Sequence, residues 1–194
     1  PGNIALIMII VTALMTSITL SREKETGSWR MLAITPVRQL TMVTAKIIPY
    51  MLISLICTFI VIVLGIFMFN MPMNGSIFLL ALVCVLFMLT ACALGILISV
   101  YTKTQQVAMI LCMLGLFLPA LLLSGFIFPI ENMPYIIQLI SHIIPTKWFI
   151  IALKDIMIKG AGLLTVWLHV TILSGMTLTL IALSLKKLMS KNVS

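Results

Sequence analysis

Apolar positions along this chain fall into five long runs, separated by short polar stretches. The runs are about Ile4–Leu20, Ile47–Phe69, Ile77–Tyr101, Val107–Gly125 and Leu163–Leu185. A helix of about 20 residues crosses a bilayer and closes its own backbone hydrogen bonds. The runs are continuous, without the alternation of a barrel strand. The pattern therefore predicts an all-α polytopic membrane protein with five transmembrane helices. Its connectors are 21–46, 70–76, 102–106 and 126–162, followed by a tail at 186–194. The chain opens on Pro1 with a run barely long enough to span, so an N-terminal part is expected upstream. No basic segment precedes the first run and no small-residue cleavage site follows it, which argues against a signal peptide.

The longest polar interruption is Ser21–Tyr50, SREKETGSWRMLAITPVRQLTMVTAKIIPY. Trp29, Leu32 and Ala33 share one face of a short helix. Pro36 excludes Thr35 from the helical region, so that helix ends near Ile34. Thr35 and Pro36 suit the cap and first turn of the next helix, and Pro49 is expected to kink it at the membrane. The plain alternative is a charged loop that only sets topology.

Composition changes this picture little. The chain is 62% hydrophobic and 8% charged, with a mean hydropathy of +1.30. The net charge of +8 does not point to nucleic acid, because the basic residues stand at the ends of apolar runs. They act as topology signals instead. Arg22, Lys24, Arg30, Arg38, Lys46, Lys103, Lys186, Lys187 and Lys191 fall on one side, and Lys147, Lys154 and Lys159 on the other. The first side is expected to be cytoplasmic. A sixth span around Tyr135–Lys159 would bury Pro145, Lys147, Lys154 and Asp155 and carry the tail lysines outside, so five spans are preferred.

Candidate chemistry is sparse. The runs hold no Asp, Glu, Lys or Arg at depth, which argues against a proton- or sodium-coupled carrier and against an intramembrane enzyme. No phosphate-loop motif, catalytic carboxylate pair or nucleophile motif occurs, so no cofactor and no ATP site are expected. Cys57, Cys84, Cys92 and Cys112 lie in apolar runs and read as packing residues. His169, beside Trp167, reads as interfacial. His142 has no metal-ligand partner nearby in sequence. Ala91 and Gly95, four apart, suit close helix packing.

The connector 126–162 is too long for a turn and too apolar for a solvated loop. Pro129, Pro134 and Pro145 divide it. Pro134 can open a short helix that Pro145 stops near Ile144. Thr146 is expected to cap a second helix running to Lys159, with Gly160 ending it. Lys147, Lys154 and Asp155 are expected to reach water while Trp148, Phe149, Ala152 and Ile156 bury. Gly125–Ile130 should pack inward. The expectation is an outer re-entrant hairpin, with Gly125, Pro129, Pro134 and Pro145 as gate positions. A static interfacial lid is the alternative.

REKETGSWRMLAITPVRQLTMVTAKIIPY resembles the cytoplasmic signature of the ABC transporter type-2 permease family. The match comprises Arg22, Glu23, Glu25, Thr26, Gly27, Leu32, Thr35, Pro36, Lys46, Pro49 and Tyr50, with Ser28 and Ala45 where Thr and Gly are usual and Trp29-Arg30 departing. Pro1-Gly2, LISVYTKTQQVAM, SGFIFPIENMP and IPTKWFIIALKDIMIKG resemble further family segments in the same order. The resemblance implies one permease domain over residues 1–194, with a first span and an extracellular domain upstream. It implies a multi-pass subunit of an ATP-driven exporter in a bacterial cell membrane, working as a homo- or heterodimer within membrane lipid. A separate cytoplasmic ATPase would dock on a coupling helix, at Arg22, Glu23, Glu25, Gly27, Leu32, Thr35 and Pro36. The expected substrate is an amphiphilic drug-like or lipid-like molecule. A polysaccharide or glycolipid exporter on the same scaffold is the alternative, and a polytopic membrane enzyme or non-transport scaffold the reading from another class.

Overall fold

The structure, a computed structural model, describes residues 2–26, 39–69 and 74–190. It is helical throughout, with no strand among the described residues. The first span consists of α1 (Gly2–Ile9), a π-turn (Ile10–Leu14) and α2 (Met15–Glu25). Helix α3 (Gln39–Phe69) carries the second span, with Pro49 inside it. Helix α4 (Ile77–Tyr101) is the third span. The fourth comprises α5 (Gln105–Cys112), a second π-turn (Met113–Phe117) and α6 (Leu118–Leu123). A short 3-10 turn (Ile130–Asn132) leads to α7 (Tyr135–Ser141) and α8 (Pro145–Met157), and α9 (Leu163–Ser190) closes the chain.

Five helical stretches are long and apolar enough to cross a membrane: Gly2–Glu25, Ile48–Phe67, Ile77–Tyr101, Gln105–Leu123 and Leu163–Ser184. The first helix runs further than its apolar run, through the charged residues to Glu25. Two spans form the centre. Two-thirds of the first (67%) and over half of the third (56%) are buried, against 17% of each of the other three.

The core is one apolar cluster at the α8 end of the bundle. Ile4, Ala5 and Met8 of α1 meet Leu79, Val83 and Phe87 of α4 and Phe149, Leu153 and Ile156 of α8. The Phe87 and Phe149 rings stack with centroids 4.1 Å apart. A smaller cluster of Leu20, Cys92, Ile96 and Val100 lies toward the opposite end. Within lipid, apolar contact alone distinguishes poorly between helix partners, so hydroxyl pairs add registry. Thr12 meets Ser54 at 2.6 Å, Thr90 meets Thr177 at 2.6 Å, and Ser21 meets Thr102 at 2.8 Å. Ala91 is buried. At Gly95 the first and third spans come close: a Cβ there would lie 2.6 Å from the Ala13 carbonyl oxygen.

Candidate functional site

Chemistry-bearing residues gather at the two ends of the bundle. At the connector end, the first span leaves the core as Ser21–Glu25, still helical, and Thr26 closes the last turn onto the Arg22 carbonyl at 2.9 Å. The neighbouring turn between the third and fourth spans lies beside it. The Glu25 carboxylate accepts from the Gln105 backbone N–H at 3.0 Å and from Gln105 Nε2 at 3.1 Å. Gln105 begins α5, whose cap is Thr104 Oγ1, accepting from Val107 N–H at 3.4 Å. Glu25 thus places a negative charge on the positive end of the fourth span. Lys24 Nζ donates to the Ser99 carbonyl. Arg22, Glu25 and Thr26 remain exposed and Glu23 is half-buried. Gly27, Leu32, Thr35 and Pro36, with the short helix and turn expected around them, lie outside the described residues.

At the hairpin end, the fourth span stops at Gly125, whose φ of +78° only glycine adopts without strain. The Ile130 side chain lies over it, 3.0 Å from where a Cβ would stand. Pro129 precedes the 3-10 turn and Pro134 precedes α7. Helix α8 starts at Pro145 itself, with Ile144 at the cap. This corrects the expectation for Thr146. A proline's fixed φ starts the helix one position earlier, and Thr146 Oγ1 ends buried without a hydrogen-bond partner. Helix α8 ends at Met157, two residues before Lys159, and Gly160 makes the left-handed turn beyond it at φ +65°. Helices α7 and α8 meet at 81°.

Two charged residues expected in water are buried instead. Lys147 is 6% and Asp155 7% exposed, whereas Lys154 is exposed. Their partners explain the difference. His142 donates Nδ1–H to the Gln138 carbonyl at 2.7 Å, which leaves Nε2 to accept from Lys147 Nζ at 3.2 Å. Lys147 Nζ also donates to Ser141 Oγ at 3.0 Å. Burial holds the Lys147 ammonium below the usual lysine range. Asp155 faces Lys159 Nζ at 2.7 Å and His169 Nε2, from the last span, at 3.5 Å. His169 is therefore turned toward the hairpin rather than simply interfacial, and Trp148 lies beside its ring. The loop 74–76 grips the far end of α8. Asn74 donates its backbone N–H to the Met157 carbonyl at 3.2 Å and its Nδ2 to the Ile158 carbonyl at 3.0 Å. Gly75 fits against the Ile156 carbonyl, where a Cβ would stand only 2.3 Å away.

These groups anchor and orient elements. Among the described residues, no group of three or more His, Cys, Asp or Glu side chains could hold a metal. Nothing in the residue pattern pointed to Gln105, Ser141 or Asn74 as anchoring partners, because each acts on a segment distant in the chain or at a turn that had first to form.

The profile of the family described as "ABC-2 family transporter protein" matches residues 1–186. The chain belongs to that family. Among curated proteins it is 32% identical over 160 residues to "Probable multidrug ABC transporter permease YbhS" of Escherichia coli (strain K12), covering 82% of this chain and 42% of that protein. It is 34% identical over 170 residues to "Probable multidrug ABC transporter permease YbhR" of the same organism, covering 86% and 45%. It is 29% identical over 163 residues to "ABC transporter G family member 20" of Dictyostelium discoideum, covering 84% and 22%. The chain spans less than half the length of these relatives. No solved structure matches it.

Proposed function

We propose that this chain is a membrane-spanning permease subunit of an ABC exporter that moves an amphiphilic, drug-like or lipid-like compound out of a bacterial cell. The energy comes from a separate cytoplasmic ATPase, and the permease works paired with a second permease subunit. The observation that carries this reading is the similarity to permeases named for multidrug transport across 82% and 86% of the chain. In support, the five spans are apolar and the charged residues Arg22, Glu23, Lys24 and Glu25 close the first span's helix at one end of the bundle. The ATPase docks on Arg22, Glu23, Glu25, Gly27, Leu32, Thr35 and Pro36, with that end in the cytoplasm. The outer gate is the hairpin reached through Gly125, Pro129, Pro134 and Pro145, and its moving part is α7.

The test is ATP-dependent accumulation of a fluorescent amphiphilic dye in inverted membrane vesicles holding the permease and its cognate ATPase. Glu23→Lys with Glu25→Lys should lower uptake and ATPase co-purification at least tenfold while the permease still inserts. Unchanged uptake and co-purification in that variant would remove the docking role. Uptake without ATP would remove the ABC-exporter reading.

A further inference from the structure

The two π-turns face each other. Ile10–Leu14 in the first span and Met113–Phe117 in the fourth belong to different helices, yet they line one gap, formed by Ile10, Ala13, Leu14, Met113, Leu116 and Phe117 among others. At about 10 Å³ and with apolar walls, the gap is at the lower limit for one water molecule, so it is packing slack rather than a ligand site. Cys112 Sγ reaches the Ala13 carbonyl at 3.9 Å, a weak contact. A π-turn holds one residue more than an α-turn and has fewer well-made backbone bonds, so it marks where a helix bends at low cost. In the fourth span the cause is visible. Pro119, just beyond the turn, has no N–H for the Gly115 carbonyl and its ring pushes that carbonyl aside.

What lies on either side of these turns makes them a pair. Below them, α2 packs against α5 and Glu25 holds Gln105 by two hydrogen bonds, so the two lower halves are clamped together. They lie against the unbroken α4, to which Ser21 and Lys24 bond at Thr102 and the Ser99 carbonyl, contacts that a swing of the arm has to exchange. Above them, α1 and α6 pack against α8. The first and fourth spans therefore share a clamp at one end, a seat at the other and a break between.

We propose that the paired π-turns are a single hinge, below which the connector-end halves of the first and fourth spans swing as one arm while the halves seated on α8 stay in place. Glu25 is the positioning residue that makes the arm one body. The inference rests on the proposed coupling to an ATPase, which would drive the arm.

The experiment uses the full permease with its cognate ATPase in lipid nanodiscs, with Cys57 replaced by Ser and spin labels on introduced cysteines at exposed positions. One pair, Gln106 and Leu183, reports the connector end, and the other, Leu122 and Leu164, reports the hairpin end. Distances are compared between the nucleotide-free and ADP–vanadate-trapped states. The expected result is a shift of several ångströms in the first pair and none in the second. Gly115→Ala should at least halve that shift. No neighbouring element or side chain beyond its own turn lies within 4 Å of where its Cβ would stand, so the variant stiffens the turn without a clash. Glu25→Ala should let labels at Thr26 and Gln106 move apart. Equal shifts in both pairs, or a full shift in Gly115→Ala, overturn the hinge and leave the coupling reading intact. No shift in either pair overturns both.

Discussion

Helices α7 and α8 adjoin in sequence, are both rich in isoleucine, and are held in opposite ways. On α8, Phe149, Ile150, Leu153, Ile156 and Met157 are in the core. On α7, Tyr135, Ile136, Leu139 and Ile140 are exposed, as is Ile143 just after it. Of the α7 residues only Ser141 is buried, at the junction with α8. The difference teaches that the hairpin is one fixed helix carrying one loosely held helix, rather than a lid that opens as a unit. Helix α8 is gripped on four sides, by α1, by α4, by His169 of the last span and by the 74–76 loop. Helix α7 touches α6 and is otherwise held by local hydrogen bonds. Gln138 Nε2 donates to the Met133 carbonyl at 2.9 Å, and His142 and Lys147 tie its end to α8.

The sharpest way to break this comparison is to unseat α8. Phe149→Ala removes the stacked partner of Phe87 and leaves a large buried void, at a cost of about 3–5 kcal/mol. Thermal unfolding of the purified permease in detergent should shift strongly. If the shift matched that of an α7 variant, the contrast between the two helices would be lost. Gly75→Ala drives a methyl into the Ile156 carbonyl and should cost about 1–3 kcal/mol by forcing the loop off α8. Unchanged stability there would mean that the loop does not grip the helix. Smallest is Leu139→Ala on α7. Its side chain is exposed, so stability should stay within about 0.5 kcal/mol of the parent, as at surface sites generally. If α7 is the moving part of the gate, Leu139→Ala still changes dye uptake in vesicles. A variant with normal stability and normal uptake would leave α7 without a role in gating.

Much of this was readable from residue pattern. Continuous apolar runs placed all five spans to within a few residues, because span length is fixed by bilayer thickness. Pro134 marked the start of the first hairpin helix, since proline constrains the backbone locally, whereas Pro145, expected only to end that helix, itself opens the second. Burial within the hairpin was not readable. Lys147 and Asp155 look like residues bound for water until Ser141, His142, Lys159 and His169 come near, and proximity to His169 is a product of tertiary packing. The π-turns were equally hidden. Pro119 hints at one, but nothing in IVTAL distinguishes the other from ordinary helix. The connector signature fixed a likeness to a family, while the pairing of Glu25 with Gln105 depended on two helix ends meeting in space.

The buried charges of α8 also bear on how the protein is made. A lysine or aspartate at the centre of an inserting helix is penalised by about 2.5–3.5 kcal/mol, so a segment carrying Lys147, Lys154 and Asp155 is a poor substrate for the insertion machinery. Its amphipathic composition suits a helix that lies in the membrane surface instead. One partner of Asp155, His169, belongs to a span synthesised after α8. Until α9 is made, the Asp155 carboxylate has only Lys159, just beyond the end of its own helix, as a partner. Asp155 therefore gains His169 only when α9 lies beside α8, so the full pairing of the buried charge is a property of the assembled bundle and not of the hairpin alone.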